Sequence, residues 1–252
     1  MSAGVAERYE GSQSPLALLA NRLELPPITS VKEEVVFDYF GLVENPFLDS
    51  AATFLAAHTD APLQAASRTL TSFFATAHTD CVGNIGEKSA CWLTIRLSQP
   101  HDAFSVPRWH QDGRMYPYDE SRENVPRSKY GVTILGPPTL LFEYTSPENL
   151  IKEKEGLEKH FPRNGVSKTE EESDEAFDQL RSWLADQFRS EKLLQLGAGQ
   201  IVRFTWGRED SPFHSEPDIV SDRVFMTVLF GSENEIRAMA EWRAAPFGEP
   251  TM

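Results

Sequence analysis

The chain has 252 residues, 40% of them hydrophobic and 16 of them Phe, and carries a formal net charge of −14. That is enough apolar material for a sizeable core in one domain, while the surplus of negative charge puts binding to a nucleic-acid backbone or an anionic membrane at a disadvantage. Two cysteines, Cys81 and Cys91, are too few for a disulfide scaffold and lack the paired spacing of a zinc site, so both read as ordinary buried or half-buried thiols.

The opening MSAGVAERYEGSQSP has no apolar signal core, and no window reaches the roughly 18 apolar residues of a membrane span. A soluble, cytoplasmic protein with no membrane partner is expected. Residues 1 to 13 are polar and expected to fray. SPLALLANRLEL (14 to 25) opens with Ser-Pro and predicts a short helix that stops before Pro26 and Pro27. LDSAATFLAAHTDAPLQAASRTLTSFFATAHTD is Ala-rich with apolar residues at helical spacing, broken at Asp60-Ala61-Pro62, and predicts two packed helices. The N-terminal part, 1–90, is thus expected to be mainly helical. From Cys91 the period changes. CWLTIRL puts Cys91, Leu93, Ile95 and Leu97 on one face and Thr94, Arg96 and Ser98 on the other, the alternation of a strand. KYGVTIL and TLLFEY follow as two strands around a turn at Gly136-Pro137-Pro138. From Glu148 to Lys192, 20 of 45 residues are charged, with apolar Phe177, Leu180, Trp183, Leu184 and Phe188 at helical spacing. This predicts a solvated helical insert at 148–192. GAGQIVRFTW and RVFMTVLFG return to strand, so that 91–147 and 193–235 hold the sheet of a single domain spanning 1–252. Neither an internal repeat nor a low-complexity tract is present.

Three residues in this layout point to chemistry. VPRWHQDGRMYP places His110 two residues before Asp112. In an extended strand such residues share a face, so an imidazole and a carboxylate converge on one small volume, which suits a metal. The connection GREDSPFHSEPDIVSD supplies a second imidazole, His214, with Arg223 opening the next strand. Two imidazoles and one carboxylate on a rigid sheet form a facial triad with three open metal positions, the set that suits non-haem Fe(II) and oxygen. An isolated H-x-D is more often a surface loop or a helix cap. The second histidine in a G-x-[IV]-x-x-F…H-x-x-P context and the arginine after it favour the site.

On these residues, His110-Gln111-Asp112, the Gly199-to-Phe204 lead-in, His214 with Pro217, and Arg223, the chain resembles the Fe(II)/2-oxoglutarate-dependent oxygenases over roughly its C-terminal 60%. The resemblance implies a mixed α+β fold. Its centre would be a double-stranded β-helix, a jelly-roll or cupin-like barrel with the N-terminal helices packed on it and the site in its mouth. It implies His110, Asp112 and His214 as metal ligands and catalytic centre, with Fe(II), 2-oxoglutarate and O2 as cofactors and ascorbate as a supporting reductant. It also implies Arg223 as the residue that holds the distal carboxylate of 2-oxoglutarate, since a guanidinium grips a carboxylate with two parallel bonds. A second cosubstrate residue is sought among Tyr130, Thr139 and Arg96, with Tyr130 ranked first because it opens a strand soon after the metal motif. If Arg223 is instead a surface residue paired with Asp222 or Glu216, Arg203 and Arg208 come next.

The implied reaction is hydroxylation, desaturation or demethylation of an organic, small-molecule substrate with release of succinate and CO2. A cupin-like metal enzyme that does not use 2-oxoglutarate, and a non-catalytic ligand-binding barrel, are the other readings. His101 has Asp102 adjacent rather than two residues on, and His58, His78 and His160 read as ordinary surface residues. Trp109, Tyr116, Tyr118 and Trp206 line a substrate pocket or pack the barrel rim. The charged insert is expected beside the mouth, limiting access.

Overall fold

The computed structural model describes residues 14–43, 46–82, 86–113, 128–161 and 169–244. In chain order its elements are β1 (Leu16–Arg22), β2 (Val35–Leu42), α1 (Pro46–His58), α2 (Leu63–Asp80), a 3-10 turn (Gly86–Lys88), β3 (Ala90–Ser98), β4 (Ser128–Leu135), β5 (Leu140–Leu141), α3 (Pro147–His160), α4 (Glu170–Gln187), β6 (Gln200–Thr205), β7 (His214–Ser215), β8 (Arg223–Gly231) and α5 (Glu233–Ala244). The fold is mixed α+β with antiparallel sheets.

The alternation in CWLTIRL decides how the layers stack. Cys91, Leu93, Ile95 and Leu97 are completely buried on one face of β3 and join Val224, Met226 and Val228 of β8 in the main core. On that face lie α1 and α2, which bury Leu55, Leu70, Phe73 and Ala66 against the sheet. Six strands make up the large sheet, in the order β1-β6-β4-β8-β3-β2. Its other face carries Val202 and Phe204, which pack with Leu141 of a small sheet. The small sheet pairs β5 with β7 and is widened by bridges from His110 to His214 and from Phe142 to Leu193.

Two expectations need correcting. SPLALLANRLEL is not a helix: Leu16–Arg22 is the edge strand β1, paired with β6 so that Leu16 opposes Phe204 and Leu18 opposes Val202. Its near-continuous apolar run carries no period that separates helix from strand, and the open edge of β6 decides. With β2 at the other edge, the segment 1–90 supplies both outer strands of the large sheet as well as two helices. KYGVTIL and TLLFEY hold strands β4 and β5 on either side of the expected turn, in different sheets. Gly136 (φ 79°) turns the chain between them from the large sheet into the small one, and a Cβ there would collide with the Asp222 carbonyl. Residues 1 to 13, Tyr116 and Tyr118 lie outside the described residues.

Helices α3 and α4 occupy the charged stretch. Each starts on a capping box, Ser146 with Asn149 and Thr169 with Glu172. Leu180, Leu184 and Phe188 pack with Trp109, Phe142 and Phe213 behind the small sheet.

Candidate metal centre

His110 and His214 exchange both backbone hydrogen bonds, each N–H to the other's carbonyl at 3.0 Å. Residues opposed in this way point their side chains to the same side. The imidazoles accordingly face each other with ring centroids 4.3 Å apart, while their chain neighbours Trp109 and Phe213 point backwards into the α4 cluster. Asp112, two residues past His110, completes the group. One donor atom from each of His110, Asp112 and His214 lies within 4.8 Å of the others. Gly113 (φ 86°) follows Asp112 in a bend, and its Cβ-free backbone lets Gly207 N–H reach the Asp112 carbonyl at 2.9 Å.

The donor set fits a divalent ion. His110 Nδ1 lies 2.8 Å from the Arg108 carbonyl and His214 Nδ1 lies 3.2 Å from the Pro212 carbonyl. A carbonyl can only accept, so each Nδ1 carries the proton and each Nε2 presents its lone pair. Those Nε2 atoms aim at Asp112, 3.7 Å from Oδ1 for His110 and 3.3 Å from Oδ2 for His214. Burial, with His214 close by, lowers the His110 pKa to about 4, which keeps the imidazole neutral as a ligand requires. For Asp112, burial pushes its pKa upward, but the Lys129 ammonium outweighs it and holds the carboxyl well below its usual range.

Lys129 is the residue that sequence reasoning missed. Its Nζ donates to Asp112 Oδ2 at 2.6 Å and sits 5.6 and 5.3 Å from the ring centroids of Trp92 and Trp206. Register explains why this lysine, and not Tyr130, reaches the centre. Lys129 opposes Phe204 and Leu229, whereas Tyr130 opposes Arg203 and Val228, and Val228 belongs to the core under α2. Tyr130 therefore points away from the triad, and its hydroxyl donates to Asp80 Oδ2 at 3.0 Å. Burial raises the Tyr130 pKa, so it stays a neutral phenol there. Alternation along the strand would have offered Lys129 as the other candidate.

Arg223 opposes Ser98 on the triad side of β8 and is only 1% exposed. It is no surface ion pair. Its Nε donates to the Pro137 carbonyl and its Nη2 to Thr139 Oγ1, both at 2.9 Å, and its guanidinium lies 4.5 Å from the Phe225 ring centroid. Burial lowers its pKa to about 10, which leaves it charged at neutral pH. Of the candidates for the second cosubstrate position, Thr139 meets Arg223, while Arg96 binds Glu216. The alternative anchors are engaged elsewhere, Arg203 with Asp80 and Arg208 with Asp210. Trp206 is buried edge-on against Trp92, and His101 bridges to Ile219.

No protein-family model and no curated protein matches the chain. Among solved structures it is similar to a Pseudomonas putida prolyl-4-hydroxylase, with 13% identity over 82% of this chain and 77% of that one and a TM-score of 0.32. A likeness at that score is too slight to bear on fold or function. Among the described residues, no helix is long and apolar enough to cross a membrane.

Proposed function

We propose that the protein is a non-haem Fe(II)- and 2-oxoglutarate-dependent oxygenase acting on a small organic molecule, on a double-stranded β-helix built from the two facing sheets. The observation that carries this reading is the convergence of His110, Asp112 and His214 from two bridged segments of the chain onto one side of the small sheet. Three ligands on one side leave the opposite positions of a six-coordinate ion open, which is the requirement for binding a cosubstrate and oxygen together. Bound iron would supply oxygen activation, with 2-oxoglutarate decarboxylated to succinate as the substrate is hydroxylated, desaturated or demethylated.

The chain's own groups do the rest. The Arg108 and Pro212 carbonyls fix the imidazoles with Nε2 forward. Lys129 holds one oxygen of Asp112 and so orients the other. Arg223 and Thr139 offer a charged fork and a hydroxyl to the distal carboxylate of 2-oxoglutarate. Phe204, whose ring centroid lies 5.1 Å from that of His214, keeps water from one side of the centre.

Anaerobic titration with Fe(II) is expected to give one iron per chain, and addition of 2-oxoglutarate a visible charge-transfer band. His110→Ala and Asp112→Ala are expected to abolish both. Iron without the band, and without succinate release that depends on 2-oxoglutarate, would move the reading to a metal enzyme of another kind on the same fold. Absence of stoichiometric iron would overturn it in favour of a binding protein.

A further inference from the structure

Beside the triad lies a second constellation that iron and 2-oxoglutarate do not use. Arg108 stands two residues before His110 and Glu216 two residues after His214, so each lies one step along its own segment from an imidazole. Arg96 comes from β3 in the facing large sheet, on the side opposite to the buried Leu97 and Ile95. Both guanidiniums converge on one carboxylate oxygen. Glu216 Oε1 accepts from Arg96 at 3.1 Å and from Arg108 at 2.8 Å. Across the His110–His214 bridge the Arg108 N–H donates to Ser215 Oγ at 2.8 Å, so the cluster continues the two segments that carry the imidazoles.

Two features set this apart from a structural ion pair. Glu216 is largely buried, yet its Oε2 has no hydrogen-bond partner among the described residues. That oxygen is an acceptor and takes no part in holding an anion; what a ligand meets is the pair of guanidiniums in front of it. The arginines are turned outward instead, 41% and 53% exposed, each with further N–H groups in the plane of its fork. Two cations against one anion leave a local positive surplus in a chain whose net charge is −14. An oriented pair of guanidiniums, held from behind by a carboxylate, is a receptor for an anion with two oxygens.

We propose that Arg96 and Arg108, held in place by Glu216, bind a carboxylate of the substrate, so that the molecule oxidised is a small carboxylic acid whose reacting carbon is presented to the metal at His110 and His214. As a substrate assignment this rests on the oxygenase reading, but the anion site itself is tested separately from it. The probe is a panel of monocarboxylates from acetate to benzoate, with glycine and alanine, each beside its carboxamide. Binding is read by saturation-transfer NMR, first on the metal-free protein and then anaerobically with Fe(II) and saturating 2-oxoglutarate, which occupies Arg223. At least one acid is expected to bind ten times or more tightly than its amide in both states. Arg96→Leu and Arg108→Leu should each remove at least tenfold of that affinity, and Arg108→Lys less. Circular dichroism and iron content, measured on each variant, show whether it is folded.

With the acid found, KM in the succinate-release assay is expected to rise at least tenfold in Arg108→Leu, with kcat changed much less. Acids and amides binding alike in the wild type, or an acid preference that survives in both folded leucine variants, would overturn the proposal even if iron and succinate release are confirmed. Should Fe(II) fail to bind while the acid preference is present and lost in the variants, the oxygenase reading falls and the anion site stands as that of a binding protein. If Arg96→Leu does not fold, Arg108→Leu and Glu216→Gln decide, since the amide at 216 keeps an acceptor but loses the charge that holds the fork.

Discussion

Asp112 serves a lysine and two imidazoles at once, and the lysine contact is the one that can be removed without touching a ligand. Lys129 and Asp112 are largely buried, at 15% and 16% side-chain exposure, and 2.6 Å apart. Breaking such a pair from one side leaves an uncompensated charge and costs about 3–5 kcal/mol. In a chain of this size each kcal/mol shifts Tm by about 2–4 °C. Lys129→Met in the metal-free protein is therefore expected to lose roughly 6–20 °C in scanning calorimetry, on the same estimates. With metal present the loss is one of orientation, about ten- to a hundredfold in iron affinity. Iron that binds more tightly to the variant would show that the ammonium competes for Oδ2 and does not hold it. Arg223 is tested by its ligand. Losing a buried charged partner costs about 2–5 kcal/mol, so Arg223→Ala should weaken 2-oxoglutarate about thirtyfold to several thousandfold. Arg223→Lys should do less harm and Thr139→Val least. Retained iron with less than a threefold drop for Arg223→Ala would remove Arg223 from the cosubstrate site. The difference between these residues is also a difference in legibility. His110 and Asp112 declare a shared face through their own spacing, whereas the choice between Lys129 and Tyr130 depends on the register of β4 against β6 and β8, and a slip of one residue exchanges the two faces.

Among the elements, α4 has a role that its composition conceals. Glu170–Gln187 is rich in charge and reads as a solvated excursion, yet its apolar stripe backs the strands that carry the ligands. Phe188 is 2% exposed, and its ring lies 5.2 Å from that of Phe213, the residue before His214. Truncating a buried Phe costs about 3–5 kcal/mol, part of it from the cavity left behind. Phe188→Ala is expected to lower both Tm and iron affinity, and deletion of α3 and α4 to abolish iron binding, measured by metal content after desalting. An iron affinity equal to wild type in folded Phe188→Ala would show that the small sheet holds its ligands unaided. The helical period of the stretch was legible in Leu180, Leu184 and Phe188. What that stripe covers was not, because the partners Trp109, Phe142 and Phe213 come from three distant segments. β1 failed for a related reason: Leu16–Arg22 is a strand because β6 offers it an edge, and nothing in the local pattern states that.

At the scale of the whole molecule, the two histidines join parts of the chain 104 residues apart (214 less 110), linked in the backbone by the bridge between them. One face of the large sheet is closed by α1 and α2, and the other holds the small sheet mainly through Leu141, Val202 and Phe204. A divalent ion gripped by His110, Asp112 and His214 would add a cross-link between the two parts of the chain that carry the histidines. A ligand that binds only the folded state stabilises it by about 4.1 kcal/mol at a free concentration 1,000 times Kd. At about 2–4 °C per kcal/mol, that amounts to a Tm rise of roughly 8–16 °C on anaerobic loading with Fe(II). His214→Ala should leave the metal-free Tm nearer to wild type than Phe188→Ala does, because the imidazole lines the site and the phenyl ring fills the core, yet it should lose the iron-dependent rise. Scanning fluorimetry of the two variants with and without Fe(II) separates the roles. A rise that persists in His214→Ala would mean that the stabilising ion sits elsewhere, and no rise in a folded wild type at saturating iron would mean that the three side chains converge without binding a metal.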